Sequence, residues 1–389
     1  MMGAGGTAMG WADWVESELV SVREAGRWRA PRPFDAKGPE GLLVEGARPV
    51  VSFASNDYLG LTRHPGVVAA AHAALDRWGT GAGAARLIVG SRPVHAELES
   101  ALAQWRGTDA ALVFPTGYTA NLGVLSTVGG PGVTILSDAL NHASIIDGCR
   151  LARAGGATVE VFGHRDLAHL EELLGAATGR TVVVSDTVFS MDGDPADVDG
   201  LVRLAAAHDA LLVLDEAHAV LGPDVPVPPR RPGADHPPVL RVGTLSKALG
   251  SQGGFVAGPR RWIDLLVNRS RSWIFTTALS PADSAAALAA LQVVRSPEGE
   301  DIVRRLRAHV DRLSPGWPSP ILPLVVGDEA RALDASAQLL TRGLLVPAIR
   351  PPTVPPGTSR LRIALSAAHT PSHLDQLAHA LAELGLAVP

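Results

Sequence analysis

Leu211-Leu212-Val213-Leu214-Asp215-Glu216-Ala217-His218 runs four apolar residues straight into an acid, and the reading of this stretch decides the fold. Consecutive rather than alternating apolar residues suit a strand buried on both faces, as in a mostly parallel sheet covered by helices. Outward from it, similar apolar runs recur at Ala111–Phe114, Val133–Leu136, Thr158–Phe162, Thr181–Ser185, Val239–Val242 and Gly254–Ala257. Helical segments fill several of the intervals, at Asn121–Thr127, Ala143–Ala154 and Asp197–His208. This alternation predicts an α/β fold with a doubly wound, mostly parallel sheet.

The flanks differ. Trp11, Trp14, Val15, Leu19 and Val22 recur at helical spacing, which predicts an amphipathic helix within residues 11–30. A short strand or turn follows through Val50-Val51-Ser52-Phe53. A long helical stretch over Pro281–Leu313 leads to strands at Ile321–Val326, Leu344–Ile349 and Leu361–Leu365, with helices at Ala330–Thr341 and Ser372–Leu384. The expected division is an N-terminal helix and arm over 1–50, a large domain over 51–285 and a smaller C-terminal α+β domain over 286–389. Pro223 to Pro238 reads as an exposed Pro-rich loop.

Ligands of open α/β sheets bind beyond the carboxyl ends of the strands, so the polar residues there are the candidates. Asp215 ends one strand, and Gly243-Thr244-Leu245-Ser246-Lys247-Ala248-Leu249-Gly250 follows another. A lysine among small hydroxyl and glycine residues at a strand end is a candidate imine-forming amine. Pyridoxal 5′-phosphate (PLP) needs such a lysine, and an acid beside its pyridine nitrogen to keep the ring an electron sink. An Asp at a strand end also serves as a helix cap, and most lysines are solvated. Taken together and in order, the pair favours PLP on Lys247 with Asp215 as the acid.

Further pieces lie upstream. Phe114-Pro115-Thr116-Gly117-Tyr118-Thr119-Ala120-Asn121 is strand, glycine turn and helix start, where backbone amides can hold a phosphate. His142, in Asn141-His142-Ala143-Ser144, can stack on a flat ring or simply cap a helix. Thr187-Val188-Phe189-Ser190-Met191-Asp192-Gly193-Asp194 places Ser190 at the same rim.

Composition excludes other classes. A formal charge of −5 offers no basic footprint for nucleic acid or an anionic membrane, and 4% aromatic residues leave little for base stacking. No apolar stretch is long enough to span a bilayer. Cys149 is the sole cysteine, which excludes an intrachain disulfide, fits a reducing cytoplasm and reads as a small buried side chain. Met1 to Thr7 lacks the basic region and apolar core of a signal peptide and reads as an unstructured start. These features point to small-molecule chemistry.

From about Arg29 to His369 the chain resembles the α-oxoamine synthases, a family of fold-type I PLP-dependent transferases. The blocks that carry the likeness are Ser55-Asn56-Asp57-Tyr58-Leu59-Gly60, Asn141–Ser144, Phe189–Asp194, Asp215–His218 and Thr244–Lys247. Ala348-Ile349-Arg350-Pro351-Pro352-Thr353-Val354-Pro355, with Arg360-Leu361-Arg362, is most similar to the branch that makes the biotin precursor 8-amino-7-oxononanoate. The resemblance implies decarboxylative condensation of L-alanine with pimeloyl-CoA or a pimeloyl acyl carrier protein. It also implies that Lys247 forms the imine with PLP, Asp215 pairs with the pyridine nitrogen and His142 stacks on the ring. His218 and Ser190 match groups near the phenolic oxygen, Thr244 a phosphate contact, and Gly117 and Tyr118 the cofactor turn. Arg362, aided by Asn56, matches the grip on the amino-acid carboxylate; Arg29 and Thr353 match substrate contacts. Thr276 and Thr277 match a segment that reaches the phosphate of the other subunit, which implies a homodimer.

Residue chemistry fits these assignments. A bidentate guanidinium fixes a carboxylate plane better than a lysine, and a displaced Lys247 is an amine placed to act as general base. Arg350 and Arg360 are read as solvated strand charges. The stretch Ala219-Val220-Leu221-Gly222 is shorter than the family's usual continuation, and Gly81-Ala82-Gly83-Ala84-Ala85-Arg86 carries alanine where the family often has Ser or Thr. Three alternatives stand beside this reading: a sister enzyme using glycine or serine with another thioester, a catalytically idle PLP-fold binding subunit, and a generic aminotransferase.

Overall fold

The computed structural model describes residues 9–225 and 238–389. The residues read as an unstructured start and most of the Pro-rich patch lie outside that range.

The chain opens with helix α1 (Trp11–Glu24) and an antiparallel run of β1 (Phe34–Ala36), β2 (Glu40–Leu43) and β3 (Arg48–Ser52). Helices α2 (Pro65–Trp78) and α3 (Pro93–Arg106) lead into the large sheet. There β4 (Ala110–Phe114), α4 (Gly117–Val128), β5 (Val133–Asp138), α5 (Ala143–Ala154), β6 (Thr158–Phe162) and α6 (Leu167–Ala176) alternate. β7 (Arg180–Asp186), α7 (Val198–Ala207), β8 (Leu211–Asp215), β9 (Val239–Thr244) and β10 (Gly254–Gly258) complete it. The strand order is β4-β10-β9-β8-β7-β5-β6, and only the pairings of β10 with β4 and β9 are antiparallel. All seven expected strands are present, most of them one or two residues longer than their apolar runs.

Two-sided burial explains why these strands read as unbroken apolar runs. Val182, Val184, Leu211 and Val213 face one core, while Val183, Leu212 and Leu214 face another on the opposite side of the sheet. Truncating one such leucine to alanine costs about 2–5 kcal/mol. The edge strand β6 is the exception, with Thr158, Glu160 and Val161 exposed.

Beyond the sheet come α8 (Arg260–Arg269), α9 (Arg271–Ile274), α10 (Pro281–Val294) and α11 (Pro297–Leu313). The stretch Pro281–Leu313 is therefore two helices: Ser296 caps the second, and Pro297 occupies its first turn. The C-terminal part holds β11 (Ile321–Gly327), α12 (Glu329–Thr341), β12 (Leu344–Leu345), β13 (Ala348–Ile349), β14 (Ser359–Ala364) and α13 (Pro371–Glu383). The single strand expected over Leu344–Ile349 is split between two sheets. β12 pairs parallel with β3, whereas β13 pairs antiparallel with β14. Pro347, between them, has no N–H for a continuous ladder. A third core joins α2, α3, α10 and α11 to this part through Val67, Leu98, Leu291, Leu306, Leu322 and Ile363.

Helix α1 forms where periodicity placed it, but none of its residues is buried, and Trp11 is 82% exposed. No helix among the described residues is long and apolar enough to cross a membrane.

Candidate active site

The carboxyl ends of β7, β8 and β9 bring Asp186, Asp215 and Lys247 to one crevice. Asp186 and Asp215 are register partners on adjacent parallel strands, and both are buried. Lys247 lies in the bend just after β9. Burial holds its amine below the ordinary lysine value, against the pull of the Asp215 and Asp186 charges, and Arg362 pushes it the same way as burial. Burial, with the Asp215 charge beside it, drives the Asp186 carboxyl well above the ordinary carboxylate range.

Asp215 is fixed from two sides. Asn121 Nδ2 donates to Asp215 Oδ2 at 2.6 Å, and the Ala217 N–H donates to Oδ1 at 2.9 Å. Its neighbour Glu216 is clamped in a buried cluster with Arg241 Nη2 at 2.5 Å and Arg106 Nε at 3.2 Å. That cluster anchors the turn carrying Asp215 and His218.

His142 caps α5, with its backbone N–H donating to Asp186 Oδ2 at 2.7 Å. Burial lowers its pKa, opposed by Asp215 and assisted by Lys247. Its ring meets Tyr118 edge to face at 6.5 Å between centroids. The Tyr118 hydroxyl donates to Asp147, which raises the phenol's pKa.

Gly117 and Tyr118 open α4, whose first intrahelical bond runs from Ala120 N–H to the Thr116 carbonyl at 3.1 Å. Their own N–H groups are among those a helix start leaves for an anion. Thr244 lies against Gly117, and its Oγ1 is 2.7 Å from Ser246 Oγ. A side chain at Gly254 would stand 2.4 Å from Gly117 N, so only glycine on β10 lets this turn sit so close to the sheet.

Across the crevice, Arg362 on β14 is 5% exposed. Its Nε donates to the Ser190 carbonyl at 2.5 Å and its Nη2 to Asn56 Oδ1 at 3.1 Å. The Tyr58 hydroxyl and His218 Nδ1 share a hydrogen bond of 2.7 Å. Burial pushes the Tyr58 phenol up to about 12, and burial, Lys247 and Arg362 hold His218 well below its ordinary value, so both are neutral. Arg360 and Arg350 are not solvated strand charges. Arg360 is buried and ion-paired with Asp192, and Arg350 Nη1 donates to the Gly26 carbonyl at 2.9 Å. Asp192 offsets the cost of burying the Arg360 guanidinium, whereas Arg350 is half-buried.

Lys247, Asp215, His142, His218, Ser190, Thr244, Gly117, Tyr118, Asn56 and Arg362 thus converge. Arg29 is exposed in the arm after α1, and Thr353 is exposed in the turn between β13 and β14. Thr276 and Thr277 follow α9 beside Phe275, which is 70% exposed. Among the described residues no hydrogen bond joins these four to the crevice. Asn121, Ser144, Tyr58 and Asp186 belong to the site although sequence reasoning assigned them no role there. Asp186 had a signal, since it ends its apolar run just as Asp215 does. Cys149 is buried as expected, and burial pushes its thiol up to about 11.

The donor set fits PLP: a buried amine, two buried acids near it, a histidine beside them and a helix start whose first N–H groups are left for an anion. Comparisons with known proteins agree. Residues 48–381 match the family described as aminotransferase class I and II. The chain is 50% identical over 381 residues to an 8-amino-7-oxononanoate synthase of Methylobacterium sp. (strain 4-46), covering 95% of this chain and 96% of that protein. It is 46% identical over 387 residues to one of Anaeromyxobacter dehalogenans (strain 2CP-1), covering 96% of each. A solved serine palmitoyltransferase from S. paucimobilis with a bound PLP–myriocin aldimine matches at TM-score 0.84 and 30% identity, over 96% of this chain and 98% of that one. The 8-amino-7-oxononanoate synthase of Francisella tularensis shares the fold at TM-score 0.70 and 23% identity, over 86% of this chain and 98% of that one. The chain belongs to the class I and II aminotransferase family, as a PLP-dependent α-oxoamine synthase of biotin synthesis.

Proposed function

We propose that this enzyme condenses L-alanine with a pimeloyl thioester, carried by CoA or an acyl carrier protein, with loss of CO2 to give 8-amino-7-oxononanoate. The observation that carries the reading is electrostatic: Lys247 shares one buried site with Asp215, Asp186 and Arg362. An amine, an acid for the ring nitrogen and a carboxylate anchor are the three groups this chemistry requires. The likeness to full-length relatives named for the same product supports the choice of substrates.

PLP, when bound, supplies the sink for the electron pair left on the amino acid's α-carbon. Lys247 would hold it covalently, Asp215 would pair with its pyridine nitrogen, His142 would cover one face, and Gly117, Tyr118 and Thr244 would take the phosphate. His218 and Ser190 would stand near its phenolic oxygen. The chain's residues do the positioning. Arg362 and Asn56 grip the substrate carboxylate and set its plane. Burial makes the Lys247 amine easier to deprotonate, which suits it to take the α-proton. Tyr58 and His218, both buried and hydrogen-bonded to each other at 2.7 Å, hold each other in place beside Arg362. Arg29 and Thr353 are assigned to the acyl substrate, and Thr276 and Thr277 to the phosphate of a second subunit in a homodimer. The exposure of Phe275, and of Leu87, Ile88 and Val89 at 54%, 75% and 68%, supports a partner on that face.

Mass spectrometry of products from alanine, glycine and serine, each with a panel of acyl thioesters, tests the assignment. The reading predicts 8-amino-7-oxononanoate from alanine and the pimeloyl thioester as the preferred product. Preference for serine with a long acyl chain would transfer the enzyme to the sister activity.

A further inference from the structure

Asn121 and Ser144 stand in the site, beside Asp215 and His142, and carry no role in the reaction described above. Asn121 Nδ2 is 2.6 Å from Asp215 Oδ2 and 2.9 Å from Ser144 Oγ, and all three residues are buried. A carboxylate only accepts, so the amide must present nitrogen to Asp215. That orientation leaves Asn121 Oδ1 buried without a hydrogen-bond partner. An apolar side chain would avoid this cost, so packing alone does not account for an asparagine here.

The bonding continues to His142. Its Nδ1 accepts the Ser144 backbone N–H at 3.2 Å and lies 2.8 Å from Ser144 Oγ. A backbone N–H only donates, so Nδ1 carries no proton. Ser144 Oγ therefore gives its hydrogen to Nδ1 and accepts one from Asn121. The bonds then run outward from the Asn121 amide, one to Asp215 and the other through Ser144 to His142, and the neutral imidazole bears its proton on Nε2.

We infer that Asn121 and Ser144 are positioning residues that join Asp215 to His142 in a single hydrogen-bonded relay. The relay holds the Asp215 carboxylate in plane and presents His142 to the crevice as an Nε2–H donor. Its effect on the cofactor rests on the reading of Asp215 as partner of the pyridine nitrogen.

The test uses the full chain before and after reconstitution with PLP. In 15N-histidine-labelled protein without PLP, His142 is assigned from the signal lost in H142N. A neutral ring protonated on Nε2 is expected. A proton on Nδ1 overturns the relay and leaves the roles of Lys247 and Asp215 untouched. PLP dissociation constants are then measured for the wild type, N121L, S144A, the double variant and S144T. Each of N121L and S144A should weaken PLP binding about tenfold, the scale of a hydrogen bond in a charged network. The double variant should fall well short of the product of the two, because both break one chain. S144T keeps the hydroxyl and should recover most of the affinity, and N121L should shift the pH dependence of the bound cofactor's absorbance. Multiplicative effects, or S144T as weak as S144A, overturn the inference. Should N121L fail to fold, the wild-type tautomer and the Ser144 pair of variants decide the question.

Discussion

Arg362 Nη2 donates to Asn56 Oδ1 at 3.1 Å, joining residues 306 positions apart across the crevice. The contact ties the C-terminal sheet to the segment that follows β3, and the guanidinium it holds is near enough to Lys247 to help lower that amine's pKa. Arg362→Ala should weaken alanine binding by about 1.5–3 kcal/mol, the scale of a hydrogen bond to a charged group. Thioester binding should change little. Spectral titration of the PLP form with alanine reads the effect, and unaltered affinity would make Arg362 a structural residue only.

Asp215 and Asp186 face each other across β7 and β8 yet should respond differently to the same substitution. On the proposed assignment Asp215→Asn removes the charge that would keep the pyridine nitrogen protonated, and it should cut turnover by roughly a hundredfold or more, the size of losing one preorganised electrostatic contact. Burial already disfavours the Asp186 charge, and Asp186→Asn keeps the side chain's shape, so it should cost far less. Turnover numbers for the two variants check this, and equal losses would contradict the assignment of roles.

Much of this arrangement was legible in the sequence because two-sided burial writes itself as unbroken apolar runs. The seven strands of the large sheet, and the polar residues at their ends, could be placed on that signal alone. Pairing partners could not. Tyr58 sits in a block that marks the family, but its hydroxyl meets His218, 160 positions away. Asn121 looked like an ordinary helix residue, since its bond to Asp215 spans 94 positions. The split of Leu344–Ile349 follows from two sheets competing for one apolar run, with Pro347 at the break. Arg360 looked like a surface charge because its partner, Asp192, is 168 positions distant.

His164 couples the loop bearing Ser190 to pH. Its Nδ1 and Nε2 each lie 3.0 Å from a carboxylate, Asp138 and Asp194. Burial disfavours its charge, but the hydrogen bonds and charges of these two acids outweigh that and raise its pKa to about 9. Because the folded value lies above the unfolded one, the stability it contributes is complete below about pH 6.5 and is lost as pH rises through about 9. The melting temperature of the wild type should therefore fall more steeply between those values than that of His164→Gln. Parallel curves would remove the charged histidine from the account.

Lys247 should be the residue that carries PLP. Borohydride reduction followed by peptide mapping should find the cofactor on the peptide containing Thr244–Lys247, and Lys247→Ala should abolish that adduct. An adduct on Lys37, the only other lysine, would displace the site.

The central claim is condensation rather than transamination, and the stoichiometry of one reaction mixture tests it most directly. An enzyme that joins alanine to an acyl group must hold the deprotonated α-carbon until the thioester arrives, so productive turnover needs the thioester. With alanine and pimeloyl thioester, free thiol and CO2 should appear in equal amounts, with little pyruvate. Steady pyruvate formation from alanine and a keto acid, with no thiol released from any thioester, would contradict the account and make the enzyme an aminotransferase.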